Sequence, residues 1–313
     1  MRSFTPNGEI LCMGSVNIDL VMVMHKLPVE GETIVTDNFC TYPGGKGGNQ
    51  AVAAALMGAR TKMFTKLGTD EFSRTLTSEL GNKGVKTDSI ITEEGTAGIA
   101  MIRVDLAGRN SISFTPGNNA LLTPEDVEAH RDLFRPNRIL LITMEISTPT
   151  VYRAIRLAHQ SGMFVILDPS PVPKERFPED IPNCVDIVKP NQNEASWISD
   201  RLIKSKEDAE EAAVYMKNMG FGCPVITLGE HGIVSAEGAS TVFTSSHATK
   251  AVDTTAAGDV FSGALAAAIA KSESLDKAIA FANAAAAISI TRKGAQTSIP
   301  SLKEVMDFLK DVT

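Results

Sequence analysis

Residues 138–170 read RILLITMEISTPTVYRAIRLAHQSGMFVILDPS, and the order of patterns within them decides the fold class. The apolar run RILLIT indicates a buried strand, TPTVYRAIRLAHQSG indicates an amphipathic helix, and MFVILDPS indicates a second strand. A strand, a helix and a strand in succession predict two parallel strands joined by a crossover helix. The chain is therefore predicted to be an α/β protein.

The same alternation extends in both directions from this unit. Strands are predicted in EILCMGS, VDIVKP and CPVITLGEHGIVSA, and helices in NQNEASWIS, KEDAEEAAVYMKNMG and the Ala-rich C-terminal segments. This order predicts a mostly parallel central sheet that helices cover on both faces. The β-rich segments within about 16–42 and 96–116 predict a small sheet inserted into that unit. With no repeat, low-complexity tract or linker, residues 1–313 are predicted to form a single domain.

Composition excludes several classes of function. The 313 residues are 43% hydrophobic, 21% charged and 5% aromatic, with a net charge of −7 and an isoelectric point near 5.4. We therefore expect no nucleic-acid partner and no membrane partner, because anionic polymers and surfaces attract basic proteins. The four cysteines form no CxxC pair and indicate reduced thiols in a cytoplasmic protein. No apolar run is long enough to span a bilayer.

Polar residues follow the predicted strands at the point where each strand ends. Examples are GSVNID, TMEIS, LDPSP, KPNQNE and TLGEHG. The carboxyl ends of parallel strands meet at one edge of a sheet, and open α/β sheets bind their ligands there. A site for a small molecule is therefore predicted at this edge.

The stretch DTTAAGD, residues 253–259, forms a turn of small residues at the start of an Ala-rich helix. If that helix begins near Ala256, the amides of Ala256, Ala257 and Gly258 point outward without partners. Small side chains let a phosphate approach those amides closely, and the helix dipole favours its charge. The stretch therefore predicts a cradle for an anion.

Two acids bracket this turn. Asp259 is predicted in the first helical turn, where the positive end of the helix keeps it ionised and able to accept a proton. A carboxylate base beside an anion cradle suits phosphoryl transfer to a hydroxyl group. The simpler interpretation makes Asp253 or Thr254 a helix cap and Asp259 a surface acid, and it explains one acid better than two.

The Gly-rich stretch PGGKGGNQ, residues 43–50, precedes another Ala-rich helix. It is not a Walker loop, because Gly47 follows Lys46, and it is not a dinucleotide fingerprint, because Gln50 stands where a small residue is needed. A flexible connector is one interpretation. Lys46 and Asn49 at a helix start favour the other, a loop that binds a small polar ligand and closes over it.

Two pairs of polar residues carry alternative interpretations. Asn17 and Asp19 share one face of a continuing strand and suit neighbouring hydroxyls of a sugar, or they belong to an exposed strand face. Asn191 and Glu194, three apart at a helix start, form a capping box in the simpler interpretation and flank a hydrated Mg²⁺ in the other. The residue pattern leaves both choices open.

Together these stretches resemble the ribokinases of the PfkB carbohydrate-kinase family from about residue 9 to about residue 300. The two signatures are PGGKGGNQAVAAALMGA and AVDTTAAGDVFSGAL, and GSVNID, MEIS, KPNQNEA, ITLGEHG and TRKGAQTS occur in the matching order. The resemblance implies a Rossmann-like α/β domain with a small β-sheet lid. It also implies ATP-dependent phosphorylation of the 5-hydroxyl of D-ribose, with Mg²⁺ and an activating monovalent cation, usually K⁺.

The resemblance further implies roles for particular residues. Asp259 is implied as the catalytic base, beside the amides of Ala256, Ala257 and Gly258. The implied sugar contacts are Asn17, Asp19, Gly45, Lys46, Asn49, Glu145 and Asp259. The implied nucleotide and Mg²⁺ contacts are Asn191, Glu194, Thr227, Gly229, Glu230, Gly232, Gly258 and Asn283. The implied ligands of the monovalent cation, partly through backbone carbonyls, are Asp253, Thr255, Ser289, Arg292, Gly294 and Ser298.

Two regions depart from the family pattern. Asn118 stands where ribokinases usually carry Ala in a Gly-Ala-Asn motif, and Asp168 and Ser170 stand where Asn and Ala are common. Neither region touches the residues with an implied catalytic role, so both bear on the choice of sugar more than on the reaction. The alternatives are a kinase for deoxyribose, ketodeoxygluconate, fructose or a nucleoside, and a sugar-sensing protein without catalysis. An NAD-dependent oxidoreductase is disfavoured, because no GxGxxG follows the first strand.

The predicted lid has a consequence for assembly. An open lid exposes one apolar face of its sheet, and pairing the lids of two subunits buries that face. A homodimer formed through the lid is therefore predicted.

Overall fold

The computed structural model describes residues 4–36, 38–238 and 240–311. The ends of the predicted domain, 1–3 and 312–313, and Asp37 within the predicted lid lie outside the described residues. The described residues form fourteen strands, which in chain order are β1 (Glu9–Met13), β2 (Asn17–Met24), β3 (Asn38–Gly44), β4 (Arg60–Phe64), β5 (Lys66–Leu67), β6 (Ile91–Thr92), β7 (Gly98–Asp105), β8 (Asn110–Thr115), β9 (Ile139–Thr143), β10 (Phe164–Asp168), β11 (Ile187–Val188), β12 (Cys223–Thr227), β13 (Ile233–Glu237) and β14 (Ser240–Thr244).

Nine α-helices alternate with these strands in the described part of the chain. Local signals set several of their ends: Thr123 and Asp126 form a capping box at α3, and Gly58, with φ +85°, follows the last turn of α1. In chain order they are α1 (Lys46–Leu56), α2 (Glu71–Asn82), α3 (Pro124–Ala129), α4 (Thr148–Gln160), α5 (Gln192–Ser199), α6 (Lys206–Asn218), α7 (Ala257–Ala270), α8 (Leu275–Ser289) and α9 (Leu302–Asp311).

An eight-stranded sheet in the order β14-β13-β12-β11-β10-β9-β1-β4 forms the centre of the molecule. Its strands pair in parallel from β4 to β12, and β13 and β14 add an antiparallel hairpin at one edge. The predicted mostly parallel sheet is confirmed. Strand order changes direction between β1 and β9, and this is the position at which open α/β sheets bind ligands.

Helices cover both faces of the central sheet, because successive side chains of each strand point to opposite sides. On β1, Ile10 and Cys12 pack into a core shared with α1, α7 and α8, whereas Leu11 and Met13 pack into a second core with α4, α5 and α6. All four side chains are at most 2% exposed. The predicted three-layer α/β arrangement follows from this alternation.

A second sheet of four strands, in the order β3-β2-β7-β8, stands beside the first. Strand β2 pairs in parallel with β7 and the other two pairs are antiparallel. Its strands lie where the sequence predicted the lid, although β3 runs two residues beyond the expected limit, to Gly44. The exposed hairpin turn is held by Asp105 Oδ1, which accepts hydrogen bonds from the amides of Ala107 and Arg109.

The connection between the two sheets positions the first residues of the site. Strand β1 leads through a short loop into β2, and β3 leads directly into α1. A Cβ atom on Gly47 would lie 2.6 Å from the carbonyl carbon of Gly14, so only glycine allows α1 to approach the end of β1 this closely. Within the described residues, no helix combines the length and apolar character needed to cross a membrane.

Candidate active site

Helix α7 begins at the carboxyl edge of the central sheet, within one residue of the predicted start. Ala256 is the N-cap, with a left-handed φ of +61°, and no side chain caps the helix. The interpretation of Asp253 or Thr254 as a simple cap is therefore wrong. The Ala257 N–H, which was predicted to have no partner, is directed at the Thr254 carbonyl at 3.3 Å. One of the three amides of the predicted cradle thus has a long hydrogen bond within the loop.

Asp259 is 6% exposed and both of its carboxylate oxygens accept hydrogen bonds. Asn49 Nδ2 donates to Oδ2 at 2.9 Å, and Gln50 Nε2 donates to Oδ1 at 3.1 Å. Burial raises the pKa of Asp259, Lys46 acts to lower it, and Asp168 raises it further. Burial is therefore the largest influence on the pKa of Asp259, and Lys46 is the cation that opposes it, in addition to the helix end on which the sequence prediction relied.

Lys46, the first residue of α1, lies between the predicted sugar and nucleotide residues. Burial alone would lower the pKa of its ammonium group, but the net pKa lies above the ordinary value. The charges responsible are the carboxylates of Asp259, Asp168, Glu145 and Glu194. Lys46 therefore remains a cation in a setting that is otherwise acidic.

Glu145 and Asp19 supply two of these acids on the side of the small sheet. Glu145 Oε2 accepts hydrogen bonds from the backbone N–H of Lys46 at 3.2 Å and from the Ser15 hydroxyl. A Cβ on Gly44 would lie 2.6 Å from Asp19 Oδ2, so this glycine makes room for the carboxylate. Burial, and then the charge of Glu145, raise the pKa of Asp19 to about 6. Both acids face a common region beside Lys46.

The turn into α1 brings Gly45 against Asn17. Gly45 has φ +84°, and a Cβ there would lie 2.7 Å from the backbone N of Asn17. Asn17 is 5% exposed, and its Oδ1 accepts a hydrogen bond from Asn119 Nδ2 at 2.9 Å. Asn119 was not among the predicted site residues, although it lies in the stretch PGNN beside Asn118. The structure thus gathers the predicted sugar residues around the start of α1 and the start of α7.

A cleft of about 740 Å³ opens next to Lys46 and Asp259. Glycine allows the left-handed turn along its wall, with φ +59° at Gly229 and +103° at Gly232. Glu230 projects its side chain into solvent at the rim, where it is 89% exposed. The cleft is lined by all eight predicted nucleotide residues, Asn191, Glu194, Thr227, Gly229, Glu230, Gly232, Gly258 and Asn283.

Asn191 and Glu194 form the capping box at α5 that was the simpler interpretation. Asn191 Oδ1 accepts from the Glu194 N–H at 2.9 Å, and Glu194 Oε2 accepts from the Asn191 N–H at 2.8 Å. Both residues also line the cleft, so the cap fixes one carboxylate at its wall. No cluster of three or more His, Cys, Asp or Glu suited to a metal occurs among the described residues. A single fixed carboxylate fits Mg²⁺, which keeps most of its water and phosphate ligands.

The predicted cation ligands are only partly brought together. Asp253 joins two loops, because its Oδ1 accepts from the N–H and hydroxyl of Thr255 and its Oδ2 accepts from the Gly294 N–H at 2.9 Å. The guanidinium of Arg292 instead pairs with Glu304. The side-chain hydroxyls of Ser289 and Ser298 donate to carbonyls three residues earlier. Backbone carbonyls and Asp253 are therefore the groups that fit a monovalent cation here.

Two of the noted departures lie close to this site. Asp168 does not contact Asp259, as expected, but Gln50 donates a hydrogen bond to each of the two carboxylates and so links them. Ser170 lines the cleft. Asn118 is buried outside the cleft and donates to the carbonyls of residues 67 and 93. The link that Gln50 makes between the two acids was not predicted from the sequence, because its partners are far away along the chain.

The arrangement matches a known family along nearly the whole chain. The sequence pattern of the pfkB family carbohydrate kinases matches residues 7–302. The chain belongs to this family. The ribokinase of Haemophilus influenzae is 34% identical to this pfkB-family chain over 300 residues, which are 95% of this chain and 97% of the relative. The deoxyribokinase of Salmonella typhi is 31% identical over 96% of this chain and 98% of its own.

A solved structure supports the same family assignment. The structure of Arabidopsis thaliana ribokinase complexed with ribose and ATP superimposes with a TM-score of 0.88. It is 29% identical in sequence and covers 98% of this chain and 99% of its own. The pfkB-family chain therefore has the ribokinase fold, and the predicted fold class is confirmed.

Proposed function

We propose that this protein transfers the γ-phosphoryl group of ATP to the 5-hydroxyl of D-ribose. The observation that carries the proposal is Asp259, held at the start of α7 beside Lys46, between the predicted sugar residues and a cleft with room for a nucleotide. The ribokinases among the relatives support ribose as the sugar. The deoxyribokinase relative makes 2-deoxyribose the second candidate, since it matches the same length of chain.

The proposed reaction assigns one proton and one phosphoryl group. Asp259 accepts the proton of the sugar hydroxyl as the hydroxyl oxygen bonds to the γ-phosphorus. The bond between that phosphorus and the oxygen bridging the β- and γ-phosphates breaks, and ADP leaves with the electron pair. Lys46 and the backbone N–H of Gly258 stabilise negative charge on the phosphate oxygens, and the dipole of α7 acts in the same direction.

The proposed cofactor ligands follow from the fit described above. Mg²⁺, when bound with ATP, neutralises charge on the phosphate oxygens. Glu194 and Asn191 are the residues proposed to orient its water ligands, because their capping box fixes both side chains at the cleft wall. Asp253 and the carbonyls near Gly294 are proposed to hold K⁺, which would order the loop before α7.

The test of this function is ADP release in a coupled assay with Mg-ATP over ribose, deoxyribose, fructose, ketodeoxygluconate and adenosine, with and without K⁺. Ribose is expected to give the highest kcat/KM, and K⁺ to raise it. Asp259→Asn is expected to lower kcat at least about 10²-fold while ATP still binds, because the base is lost. Asp276→Asn is the matched control, since Asp276 is an exposed acid in the first turn of α8.

Two outcomes would contradict the proposal. Near wild-type turnover of Asp259→Asn would remove the assigned base. ATP binding without turnover of any sugar in the panel would favour the sensing protein over the kinase. A preference for deoxyribose would keep the mechanism and change the substrate.

The proposed assembly is a homodimer formed through the lid. Ile112 and Phe114 on β8 are 55% and 50% exposed, and the strand register places them on the face of the small sheet that carries Asp19. A second lid packed on this face would bury both side chains and cover the sugar site. The same proposal places the enzyme in the cytoplasm, which supplies ATP and keeps buried thiols such as Cys12 reduced.

A further inference from the structure

Asp168, noted above as a departure from the family pattern, is the centre of a buried polar cluster behind the proposed base. It ends β10, is 2% exposed, and concentrates its contacts on one oxygen. Asp168 Oδ2 accepts from Gln50 Nε2 at 2.8 Å and from the Ser262 hydroxyl at 3.0 Å, and it lies 2.8 Å from Lys189 Nζ. Lys189 is itself buried, with 4% of its side chain exposed. Asp168 and Lys189 therefore form a buried ion pair, and only Gln50 separates this pair from Asp259.

Gln50 connects this cluster to Asp259. Its Nε2 lies 2.8 Å from Asp168 Oδ2 and 3.1 Å from Asp259 Oδ1. An ionised carboxylate only accepts hydrogen bonds, so the two hydrogens of one amide nitrogen are each committed to one carboxylate. The opposite orientation of the amide would place its carbonyl oxygen between two acceptors. The two accepting carboxylates therefore determine the orientation of the Gln50 amide. The hydrogen bond from Gln50 in turn holds Asp259 Oδ1 in place.

The positive charge of Lys189 offsets the negative charge that Asp168 places near Asp259, the proposed base. The charged groups facing Asp259 are Lys46 from α1 and Asp168 from β10, and Lys189 from the end of β11 faces Asp168. Burial raises the pKa of Asp259 most, and the charge of Asp168 raises it further, since one carboxylate disfavours the ionisation of another. Lys189 supplies the compensating charge. Removing either charge alone is therefore expected to disturb Asp259 more than removing both.

We propose that Asp168 and Gln50 are positioning residues for Asp259, and that Lys189 neutralises Asp168 so that the base keeps its orientation and its ability to accept a proton. The inference rests on the proposed function, in which Asp259 is the base. It predicts that Gln50 acts on the chemical step and only weakly on sugar binding.

The first test is Gln50→Met, which keeps the length of the side chain and removes both N–H donors. We expect kcat to fall about 10-fold or more, because small displacements of a catalytic group are costly, and the sugar KM to change less than about 3-fold. The acid limb of the kcat profile is expected to move to higher pH, because the ionised form of Asp259 loses a donor. If the wild type is active and Gln50→Met has the same kcat and the same acid limb, the inference is overturned but the proposed function is not. A wild type that phosphorylates no sugar would overturn the proposed function and the inference with it.

The second test removes the charges singly and together. Lys189→Met is expected to move the acid limb of kcat to higher pH and Asp168→Asn to lower pH, and the double variant is expected to return it towards wild type. Lys66→Met is the control, because Lys66 is also buried, with 7% of its side chain exposed, but pairs with Glu93 and Asp126 outside the cleft lining. It is expected to lower the melting temperature without moving the limb. Single variants that lose stability but share the wild-type limb would assign the pair a structural role and overturn the inference.

Discussion

Asp19 is an acid of the candidate site whose pKa is raised towards neutral pH. Burial and the charge of Glu145 raise its pKa to about 6 from an ordinary value of 3.8. An ionised carboxylate accepts hydrogen bonds from two sugar hydroxyls, whereas its protonated form gives up part of that capacity. If Asp19 binds the sugar as proposed, its acidity sets the pH range in which it can accept both hydrogen bonds.

We predict that the sugar KM rises as the pH falls below about 6, because Asp19 then binds a proton in the free enzyme. Asp19→Asn is expected to raise the KM at pH 8 and to remove this pH dependence. Initial rates with saturating ATP between pH 5 and 8 measure it. Asp259 is proposed to accept a proton in the chemical step, so its protonation affects kcat. The protonation of Asp19 affects the sugar KM, and this difference distinguishes the two acids. A sugar KM that is constant from pH 5 to 8 in the wild type would contradict the assignment of Asp19.

The same shift predicts a change in stability. A raised pKa in the folded state means that stability is fully present below the unfolded value of 3.8 and is lost as the pH rises through about 6. Asp19→Asn is therefore expected to raise the free energy of unfolding by about 1–3 kcal/mol at pH 8, and by little at pH 4. Denaturant unfolding without sugar at the two pH values measures the difference. An equal effect at both pH values would show that the amide acts through packing.

At the level of single residues, the sequence predicted which residues lie together better than it predicted the burial and the hydrogen-bond partners of each. Asp259, Lys46 and Asn49 were predicted as site residues because each stands in a local motif, and the structure brings them together. Burial as the main influence on the pKa of Asp259 was not predictable, since the residues that hydrogen-bond to it, Asn49 and Gln50, lie on α1, far away along the chain. Gln50 joins two acids that are 118 and 209 residues away along the chain, and no local pattern records such a contact.

Among the helices, the contact between α1 and α7 brings together the residues proposed to act in the reaction. Helix α1 carries Lys46, Asn49 and Gln50, and α7 carries Asp259. Gly263 lies at their closest approach, where an added Cβ would be 2.6 Å from both Ala53 Cβ and the Gln50 carbonyl. The absence of a side chain at this position therefore sets the distance between the base and the residues that hold it.

Gly263→Ala is expected to separate α1 from α7 and to lower stability by about 1–3 kcal/mol, the usual cost of an overpacked core. A fall in kcat of about 10-fold or more is expected with it, because Asn49 and Gln50 move away from Asp259. Thermal unfolding and steady-state kinetics measure the two effects. Gly81→Ala is the matched control: it is an exposed helical glycine with no atom within 4 Å of the added Cβ, and it should stabilise by about 0.5–1 kcal/mol. Wild-type kcat in Gly263→Ala would show that the helices tolerate the extra methyl group.

The elements themselves were largely predictable, because each has a strong local pattern. The run RILLIT and the capping signals at Thr123 and Asn191 gave a strand and two helix starts that the structure contains. The order of strands within the sheet was not predictable from these patterns. That order depends on which strands cross over, and β1 pairs with β4 on one side and with the distant β9 on the other.

At the scale of the whole molecule, the two sheets have different exposures. The strands of the central sheet are covered on both faces, whereas the small sheet packs one face on the body of the protein and leaves the other partly open. Leu20 and Ile99 lie on the packed face. On the other face, which we call the apolar lid face, lie Val21, Val23, Ile102, Val104, Ile112 and Phe114. Asp19 lies at the start of this face, next to the proposed sugar site. A second subunit packed on the apolar lid face would therefore also cover the sugar.

Phe114→Glu is expected to convert the proposed dimer to a monomer, because it places a charge on the apolar lid face. Sedimentation equilibrium should give twice the chain mass of 33.4 kDa for the wild type and 33.4 kDa for the variant. Phe39→Glu is the matched control, since Phe39 is 52% exposed against 50% for Phe114 but pairs with Met22 and points to the opposite face. It is expected to stay dimeric. The sugar KM should rise in Phe114→Glu alone, because the lid over Asp19 loses its support. A wild type that sediments at 33.4 kDa at micromolar concentration, or a Phe114→Glu variant that remains dimeric, would show that the apolar lid face has another role.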